Sequence, residues 1–378
     1  MTERLRSDVA IVGGGIVGTS AALALRRMGL SVTLLERDFC GSRSSGVNYG
    51  GVRRQGRSLV QLPLTQRAHG IWGRLPELIG IDGEYIRCGH LKIARSQADM
   101  ASLAAYRERS RGFGMDLQLL AASTLRERFA WLGERAVGGS LCPQDGHANP
   151  RLVSPAFARA AARMGADVRE QTRVDELAHD GKDFVLLTAT GVELRSRFLL
   201  NCAGAWAATI AERFGEAVPM VPAHPVMAVT EPLPMFMNLS LGVEGGGIYA
   251  RQAPRGNCVI GGSRGFALDA LRARPSRDAI SLVLRGTVEL LPSLRHAHII
   301  RSWSGTEGYL PDHEPVIGPS AKQPGLFHGF GFAGAGFQIG PAVGEVLAEL
   351  VQGGASSTPI AAFSISRFSP VPASATST

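Results

Sequence analysis

The sequence predicts an α/β protein in two parts, one built on a parallel sheet and the other rich in antiparallel strands. Three observations predict this class. A strand–helix–strand unit occupies residues 8–36, many short strands separated by turns follow it, and a second glycine-rich loop and helix lie at residues 329–351. Because 378 residues exceed what one core usually serves, we expect two domains.

The first unit carries glycines at the spacing of a dinucleotide-binding turn. Residues 8–36 read DVAIVGGGIVGTSAALALRRMGLSVTLLE, in which an apolar run leads into Gly13, Gly15 and Gly18 and then into a helical pattern over residues 16–28. Gly13 allows the turn out of the strand, Gly15 lets the backbone approach a pyrophosphate, and Gly18 lets the helix pack on the sheet. The helix N-terminus offers N–H groups to phosphates. We therefore predict a Rossmann-like dinucleotide site.

Glu36 ends the second strand of this unit, 18 residues after Gly18. Its carboxylate can accept hydrogen bonds from ribose hydroxyls and would repel a 2′-phosphate, which argues against NADP. The alternatives are a glycine-rich turn without a ligand, and a signal peptide or membrane span. Glycines before the helical run and arginines at its end fit neither peptide nor span, and no apolar run of about 18 residues occurs. We expect a cytoplasmic protein.

Composition excludes several other classes. The net charge is +8, almost all basic residues are arginine, and they form no long run beside a nucleic-acid motif. We interpret this charge as attraction for anionic substrates and cofactor phosphates, and expect no nucleic-acid partner. The five cysteines are scattered without a CxxC pair, so we expect no metal site.

The segment 40–57, CGSRSSGVNYGGVRRQGR, is expected to form a loop beside the cofactor because it follows Glu36 directly. Ser45 and Asn48 can hydrogen-bond a cofactor, and Gly50 and Gly51 allow close approach. The cationic donors of this segment are Arg53, Arg54 and Arg57. The alternative is a solvated basic surface loop, which the glycines flanking the arginines disfavour.

The remaining elements follow from apolar periodicity and turn residues. Further helices are expected at residues 62–78, 99–111, 150–164, 278–291 and 341–351, the last with Pro341 in its first turn. Further strands are expected at residues 85–94 (as a pair), 138–141, 167–174, 184–188, 191–194, 197–201, 245–249, 258–262, 299–305, 316–318 and 326–330. Residues 366–378 are predicted to be a disordered tail.

Four separated segments resemble one family. They are VAIVGGGIVGTSAALALRRMGLSVTLLE, SSGVNYGGVRRQ, DGHANPRLVSPAFARAAARMGADV with NCAGAW, and PDHEPVIGP with GFGFAGAGFQIGPAVGEVLAEL. The chain resembles the FAD-dependent amine and amino-acid oxidoreductases of the D-amino-acid oxidase, glycine oxidase and sarcosine oxidase superfamily. Within it, the chain looks like the β-type subunits of opine oxidase or hydrogen cyanide synthase.

The resemblance implies a discontinuous FAD-binding domain and a β-rich substrate domain. The first would comprise residues 1–85, 145–215 and 305–365, and the second residues 86–144 and 216–304. The residues implied to bind FAD are Gly13, Gly15, Ile16, Val17, Glu36, Arg37, Ser44, Ser45, Asn48, Gly50, Gly51, Val174, Ala203, Gly204, Trp206, Gly334, Ala335, Gly336, Phe337 and Gln338.

The resemblance also implies oxidation of a C–N bond, with hydride passing from the substrate α-carbon to flavin N5 and hydrolysis of the imine. Such a site needs a cation for the substrate carboxylate. Arg53 is the first candidate and Arg54 the second. Tyr249 lies on a strand that often faces the substrate, with Arg251 on the same face, and the alternative is a half-buried strand face without a role in catalysis. Gln338 completes the catalytic candidates.

The lysines depart from the pattern of related oxidases. Sarcosine oxidases often place a lysine where Gln338 stands and use another on the strand matching residues 257–261, and this chain has neither. A dehydrogenase, or an oxidase that depends on a partner, is therefore favoured. The implied partners are a small amine or amino-acid substrate and either partner subunits or an electron acceptor, with at most peripheral membrane association. The alternatives are a non-catalytic flavoprotein subunit and an NAD-linked dehydrogenase.

Overall fold

The computed structural model describes residues 3–369, and most of its strands belong to two eight-stranded sheets. The strands are β1 Glu3–Val12, β2 Val32–Leu35, β3 Gly51–Val52, β4 His90–Ala94, β5 Gln118–Ala121, β6 Gly138–Cys142, β7 Gly146–His147, β8 Asp167–Arg169, β9 Val174–His179, β10 Phe184–Thr188, β11 Val192–Asn201, β12 Val221–Ala223, β13 Pro225–Pro232, β14 Ser240–Val243, β15 Ile248–Gln252, β16 Asn257–Arg264, β17 Phe266–Ala267, β18 Ala273–Arg274, β19 Ile299–Ser304, β20 Glu307–Tyr309, β21 Val316–Pro319 and β22 Leu326–Phe330. The α-helices are α1 Ile16–Arg27, α2 Ser44–Val47, α3 Leu62–Trp72, α4 Leu75–Ile79, α5 Gln97–Ser110, α6 Ala122–Arg128, α7 Pro150–Arg163, α8 Ala207–Arg213, α9 Arg277–Leu290 and α10 Gly336–Gly353.

The first sheet has the order β21-β22-β11-β1-β2-β8. The strands from β22 to β8 run parallel, whereas β21 joins β22 antiparallel, and β10 and β9 extend antiparallel from β11. Residues Val9, Ala10 and Ile11 of β1 are fully buried, as expected for a central parallel strand. The carboxyl ends of β1 and β11 therefore lie side by side, where an open α/β sheet binds ligands.

Helices α1 and α10 cross at very close range on this sheet. A Cβ on Gly344 of α10 would lie 2.2 Å from Ser20 Oγ of α1, and the Ser20 hydroxyl donates a hydrogen bond of 3.2 Å to the carbonyl of Gly340. Only glycine fits at such a contact. The end of the chain is thereby fixed against its beginning, and the second glycine-rich loop lies beside the first.

The second sheet has the order β19-β13-β16-β15-β14-β4-β6-β5 and is antiparallel except for the pair β14 and β4. Helix α9 packs on it through Val283 and Leu290, which are buried on one face of the helix. The predicted fold class, a parallel α/β part with a β-rich antiparallel part, is confirmed.

Two predicted boundaries differ from the structure. Helix α10 begins at Gly336, so Pro341 lies inside it at a position where the proline removes one backbone hydrogen bond. The expected strand pair over residues 85–94 is one strand, β4, preceded by irregular chain with a single bridge between Ile86 and His147. Glycine at 89 with a φ of +91° interrupts the alternating pattern there.

The predicted tail also needs correction at its start. Residues Ile365–Phe368 form a 3-10 turn, Ile365 is buried, and Arg367 pairs with Asp312 at 2.8 Å. Packing against residues far away in sequence orders this segment, which composition alone does not reveal. Residues 370–378 lie outside the described part of the chain. Between residues 3 and 369 no helix is long and apolar enough to cross a membrane.

Candidate active site

The glycine-rich turn between β1 and α1 forms the first wall of a cavity of about 880 Å³. Gly13 has a φ of +108°, and a Cβ there would lie 2.3 Å from the carbonyl oxygen of Cys202, which directly follows the neighbouring strand β11. A Cβ on Gly18 would lie 2.0 Å from the carbonyl oxygen of Gly13. Gly15 caps α1 without a side-chain hydrogen bond, so the helix N-terminus faces the cavity through backbone groups.

Glu36 lines the cavity and also holds the turn. Its carboxylate accepts hydrogen bonds from the backbone N–H groups of Gly14 at 2.7 Å and Asp38 at 2.8 Å. Burial raises the pKa of Glu36, and these two N–H donors oppose the rise. That this carboxylate binds a ribose remains a prediction. The geometry shows in addition that the same carboxylate fixes the shape of the turn.

Arg37 and Trp206 form a stacked pair on the cavity wall. The Arg37 guanidinium carbon lies 3.7 Å from the centre of the Trp206 ring. The Nη2 group of Arg37 is buried and has no hydrogen-bond partner in the described structure. The indole N–H of Trp206 donates to the carbonyl of Ala270 at 3.0 Å. Trp206 thus packs against Arg37 while it lines the cavity.

The predicted loop after Glu36 contains one helical turn, α2. The backbone N–H of Ile16 donates to Ser45 Oγ at 2.9 Å, which joins α2 to the start of α1. The Asn48 amide is committed within its own segment, because it donates to the carbonyls of Ser44 and Ser45, both at 2.9 Å, and accepts from the Gly50 N–H at 2.7 Å. Because these hydrogen bonds hold the segment in place beside α1, the alternative of a solvated surface loop is excluded.

Most residues predicted to bind the cofactor line this one cavity. They are Gly13, Gly15, Ile16, Val17, Glu36, Arg37, Ser44, Ser45, Asn48, Gly51, Val174, Ala203, Gly204, Trp206, Gly334, Gly336 and Phe337. Two of the five catalytic candidates, Arg53 and Tyr249, also line it. Gly50 and Ala335 do not, because Gly50 packs on the carbonyl of Ala148 and Ala335 is the buried N-cap of α10.

Three catalytic candidates are placed elsewhere. Arg54 is buried, and its Nε donates to Asp145 Oδ1 at 3.1 Å. Arg251 donates from Nε to the carbonyl of Tyr49 at 2.8 Å, although it lies two residues after Tyr249.

The third of these, Gln338, is fully buried in α10 and donates to the carbonyl of Thr65 at 3.1 Å. None of the three lines the cavity. We therefore assign Arg54, Arg251 and Gln338 to support of the structure.

Several cavity residues carry no motif and were missed. Lys92 reaches the cavity from β4 and forms an ion pair with Glu244. Glu307 and Tyr309 of β20 line it too, with the Tyr309 hydroxyl donating to Glu307 Oε2 at 3.1 Å. Burial raises the pKa of Glu307. Sequence reasoning missed Lys92 because no local pattern distinguishes it from a surface lysine.

Two observations indicate that the cavity suits a dinucleotide. It connects both glycine-rich loops, since Gly13 and Gly334 line the same space. Its walls hold buried donors without a partner in the described structure, Arg37 Nη2 and Arg57 Nε, and a buried donor normally has an acceptor. Among residues 3–369, no three His, Cys, Asp or Glu side chains are grouped to hold a metal ion. The fold and the site together define a dinucleotide-dependent enzyme.

The comparisons with known proteins identify the class. Residues 8–350 match the family described as FAD dependent oxidoreductase (DAO), so the chain belongs to this family and FAD is its cofactor. This membership confirms the resemblance and overturns the alternative of an NAD-linked dehydrogenase.

Three relatives illustrate the similarity. Glycine oxidase of Geobacillus kaustophilus is 28% identical over 371 residues, which cover 96% of this chain and 97% of that protein. Its crystal structure superposes with a TM-score of 0.89 at 26% identity, covering 96% of this chain and 99% of that one. The opine oxidase of Rhizobium meliloti contains a chain that is 27% identical over 332 residues, covering 85% of this chain and 87% of that one. Mitochondrial sarcosine dehydrogenase of Mus musculus is 25% identical, and the alignment covers 96% of this chain but only 41% of that protein.

Proposed function

We propose that this protein oxidises the C–N bond of an amino acid or secondary amine. FAD, held by the residues of the two glycine-rich loops, supplies a hydride acceptor, and the oxidised substrate leaves as an imine that water hydrolyses. One observation carries the proposal: the cavity lined by both FAD loops continues to a wall that offers the half-buried cation Arg53. The names of the relatives, which include an oxidase of glycine and a dehydrogenase of sarcosine, support the choice of an amine.

The residues of this wall have distinct tasks in the proposal. Arg53 binds the substrate carboxylate, because a guanidinium matches its two oxygens and stays charged even though burial lowers its pKa. Tyr249, whose hydroxyl lies 3.6 Å from Met227 Sδ, shapes the apolar side. Glu307 faces the amine and favours its approach by charge. These assignments orient the α-carbon toward the flavin and exclude water from it.

We further propose that the first sheet with its helices is the FAD-binding domain, assembled from residues 1–85, 145–215 and 305–365. The second sheet then belongs to the substrate domain of residues 86–144 and 216–304. The strand order supports this division, since β1, β2, β11 and β22 share one sheet and β4, β13, β15 and β16 share the other. A cytoplasmic location remains a prediction.

A dehydrogenase, or an oxidase that depends on a partner protein, is the favoured form. Neither β16 nor position 338 offers a lysine, and Lys92, which does reach the cavity, is paired with Glu244. Because one relative is a subunit of opine oxidase, partner subunits are part of this proposal.

Anaerobic mixing tests the function. The FAD-loaded protein is titrated with glycine, sarcosine, proline, D-amino acids and opines while its visible spectrum is recorded. Loss of the flavin absorbance with one of them supports the proposal, and slow recolouring in air supports a dehydrogenase. A flavin that no amine reduces, with or without candidate partner subunits, would contradict it and favour a non-catalytic flavoprotein subunit.

A further inference from the structure

Three cationic side chains meet at the substrate end of the cavity. Gly56 shows how close two of them are, because a Cβ there would lie 3.0 Å from Lys92 Nζ and 3.3 Å from Arg53 Nη1. The next residue, Arg57, lines the same space and donates from Nη2 to the carbonyl of Gly334 at 3.3 Å. We call Arg53, Arg57 and Lys92 the cationic cluster.

The cluster is undercompensated. Within residues 3–369, no carboxylate lies within 4.0 Å of the guanidinium of Arg53 or Arg57, whereas Lys92 is paired with Glu244. The nearby Asp145 cannot serve them, because its carboxylate already accepts from Arg54 Nε and from two backbone N–H groups.

The surrounding groups respond to this positive charge. Burial lowers the pKa of Arg57 to about 9, with Arg53 contributing. Burial also holds the pKa of His90 well below its usual range, with the three cations of the cluster adding to it, so His90 is neutral.

The charges of the site predict the charge of its ligand. The three cations of the cluster lie near two carboxylates, Glu244 and Glu307, so these five groups carry a net charge of +1, and Arg264 on the same wall as Glu307 adds a further positive charge. Glu307 belongs to the same wall, since a Cβ on Gly334 would lie 3.7 Å from its Oε2 atom. A simple amino acid is a neutral zwitterion and leaves this excess in place. An amine that carries two carboxylates has a net charge of −1 and lowers this excess.

We propose that the substrate is an amine with two carboxylates, one bound by Arg53 and the other by Arg57 together with Lys92. This inference rests on the proposed function and narrows its substrate class. The phosphates of FAD do not account for the cluster, because they belong at the N-terminus of α1, where Arg37 and Arg43 line the cavity. The unpartnered Nε of Arg57 provides the additional donor that a second carboxylate requires.

A pair of sulfur analogues tests the inference without turnover. Thiodiacetate and (methylthio)acetate carry sulfur in place of the amine nitrogen and differ by one carboxylate. Each is titrated into the FAD-loaded protein, and binding is measured from the flavin absorbance. We expect thiodiacetate to bind on the order of 10- to 100-fold more tightly, the range of one or two charge-assisted hydrogen bonds.

Variants at position 57 test whether Arg57 causes the preference for thiodiacetate over (methylthio)acetate. Arg57→Met is expected to reduce the affinity ratio of the two analogues at least about tenfold, whereas Arg57→Lys, which keeps the charge but loses the Nε donor, should reduce it less. Arg126→Met, on the exposed side of α6, is the control and leaves the ratio unchanged.

The outcomes separate this inference from the proposed function. Equal affinities of the analogues, or binding of neither, would overturn the inference and assign the excess charge to the reduced flavin. A tight thiodiacetate complex in a protein that no amine reduces would support the inference about charge and overturn the proposed oxidation.

Discussion

Arg54 and Asp145 form a buried ion pair behind the cavity wall, with Arg54 Nε 3.1 Å from Asp145 Oδ1. The second carboxylate oxygen accepts the backbone N–H groups of Arg54 and Gln55 at 2.9 and 3.0 Å. Both side chains are nearly inaccessible to solvent. One carboxylate therefore fixes the backbone that carries Arg53 into the cavity and turns Arg54 away from it.

The first prediction concerns this pair. Asp145→Asn leaves the Arg54 charge buried without a counter-charge and presents an NH₂ group where two N–H donors need an acceptor. We expect a loss of about 3–5 kcal/mol in the free energy of unfolding, measured by urea denaturation of the FAD-loaded protein. Glu108→Gln, which removes the exposed pair with Arg111, is the control and should have a much smaller effect. Similar losses in both variants would contradict the structural role of Asp145.

The second prediction concerns the first glycine-rich turn. Gly15→Ala places a Cβ 3.0 Å from Ser45 Oγ and within the space of the cofactor phosphates, so the fold should persist while FAD binds at least about tenfold more weakly. The dissociation constant of FAD is measured by fluorescence titration. Gly70→Ala in α3, where no atom lies within 4 Å of the new Cβ, is the matched control and should bind FAD normally. Unchanged FAD affinity in Gly15→Ala would place the phosphates elsewhere.

The third prediction concerns the pH dependence of stability. Burial alone would raise the pKa of Glu349, but hydrogen bonds from Arg67, Ser356 and the Ser357 N–H lower it to about 2. A lowered carboxyl pKa stabilises the protein above the unfolded value of about 4.5, and this contribution is lost as the pH falls from there toward 2. Glu349→Gln should therefore cost about 1–2 kcal/mol near pH 7, after allowance for partial exposure, and little near pH 2.

Unfolding free energies at several pH values check this prediction. The exposed Glu127→Gln serves as the control, which should retain the pH slope of the unsubstituted protein. A constant difference between Glu349→Gln and the unsubstituted protein at all pH values would rule out the Arg67 ion pair as its source.

The fourth prediction concerns Glu307. Burial raises its pKa, and its ionised form attracts the substrate amine in the proposed function. The kcat/KM for the amine should therefore rise with pH through this raised pKa. In Glu307→Gln the rise should disappear, with kcat/KM reduced about tenfold at high pH. The pH profile of kcat/KM, obtained from anaerobic reduction rates, checks this prediction. If kcat/KM of the variant still falls at low pH as it does in the unsubstituted protein, another group causes the pH dependence.

Local sequence was sufficient to predict the first half of the site. The turn at Gly13 and Gly15, the acid Glu36 and the loop that follows lie within one continuous segment, and the structure brings them to one wall of the cavity. The closing helix and its glycine-rich loop could be placed beside them through the family pattern. The start of α10 was misplaced because Pro341, tolerated inside the helix, looks like a first-turn proline.

The substrate end could not be predicted to the same extent. Arg53 and Arg54 are adjacent in an irregular segment, and only the position of Asp145, about 90 residues away, determines which of them faces the cavity. Lys92 and Glu307 reach the site from different strands through tertiary packing and carry no motif. Such juxtapositions depend on sheet order and register, which single-sequence patterns do not define.

Anaerobic reduction of the Arg53→Met variant beside the unsubstituted enzyme tests the central claim most directly. The account predicts that both bind FAD with similar affinity, that one amine substrate bleaches the unsubstituted flavin, and that the variant needs at least about tenfold more of that substrate for half-maximal reduction. Equal substrate requirements in the two proteins would show that Arg53 does not bind the carboxylate and would contradict this account of the site.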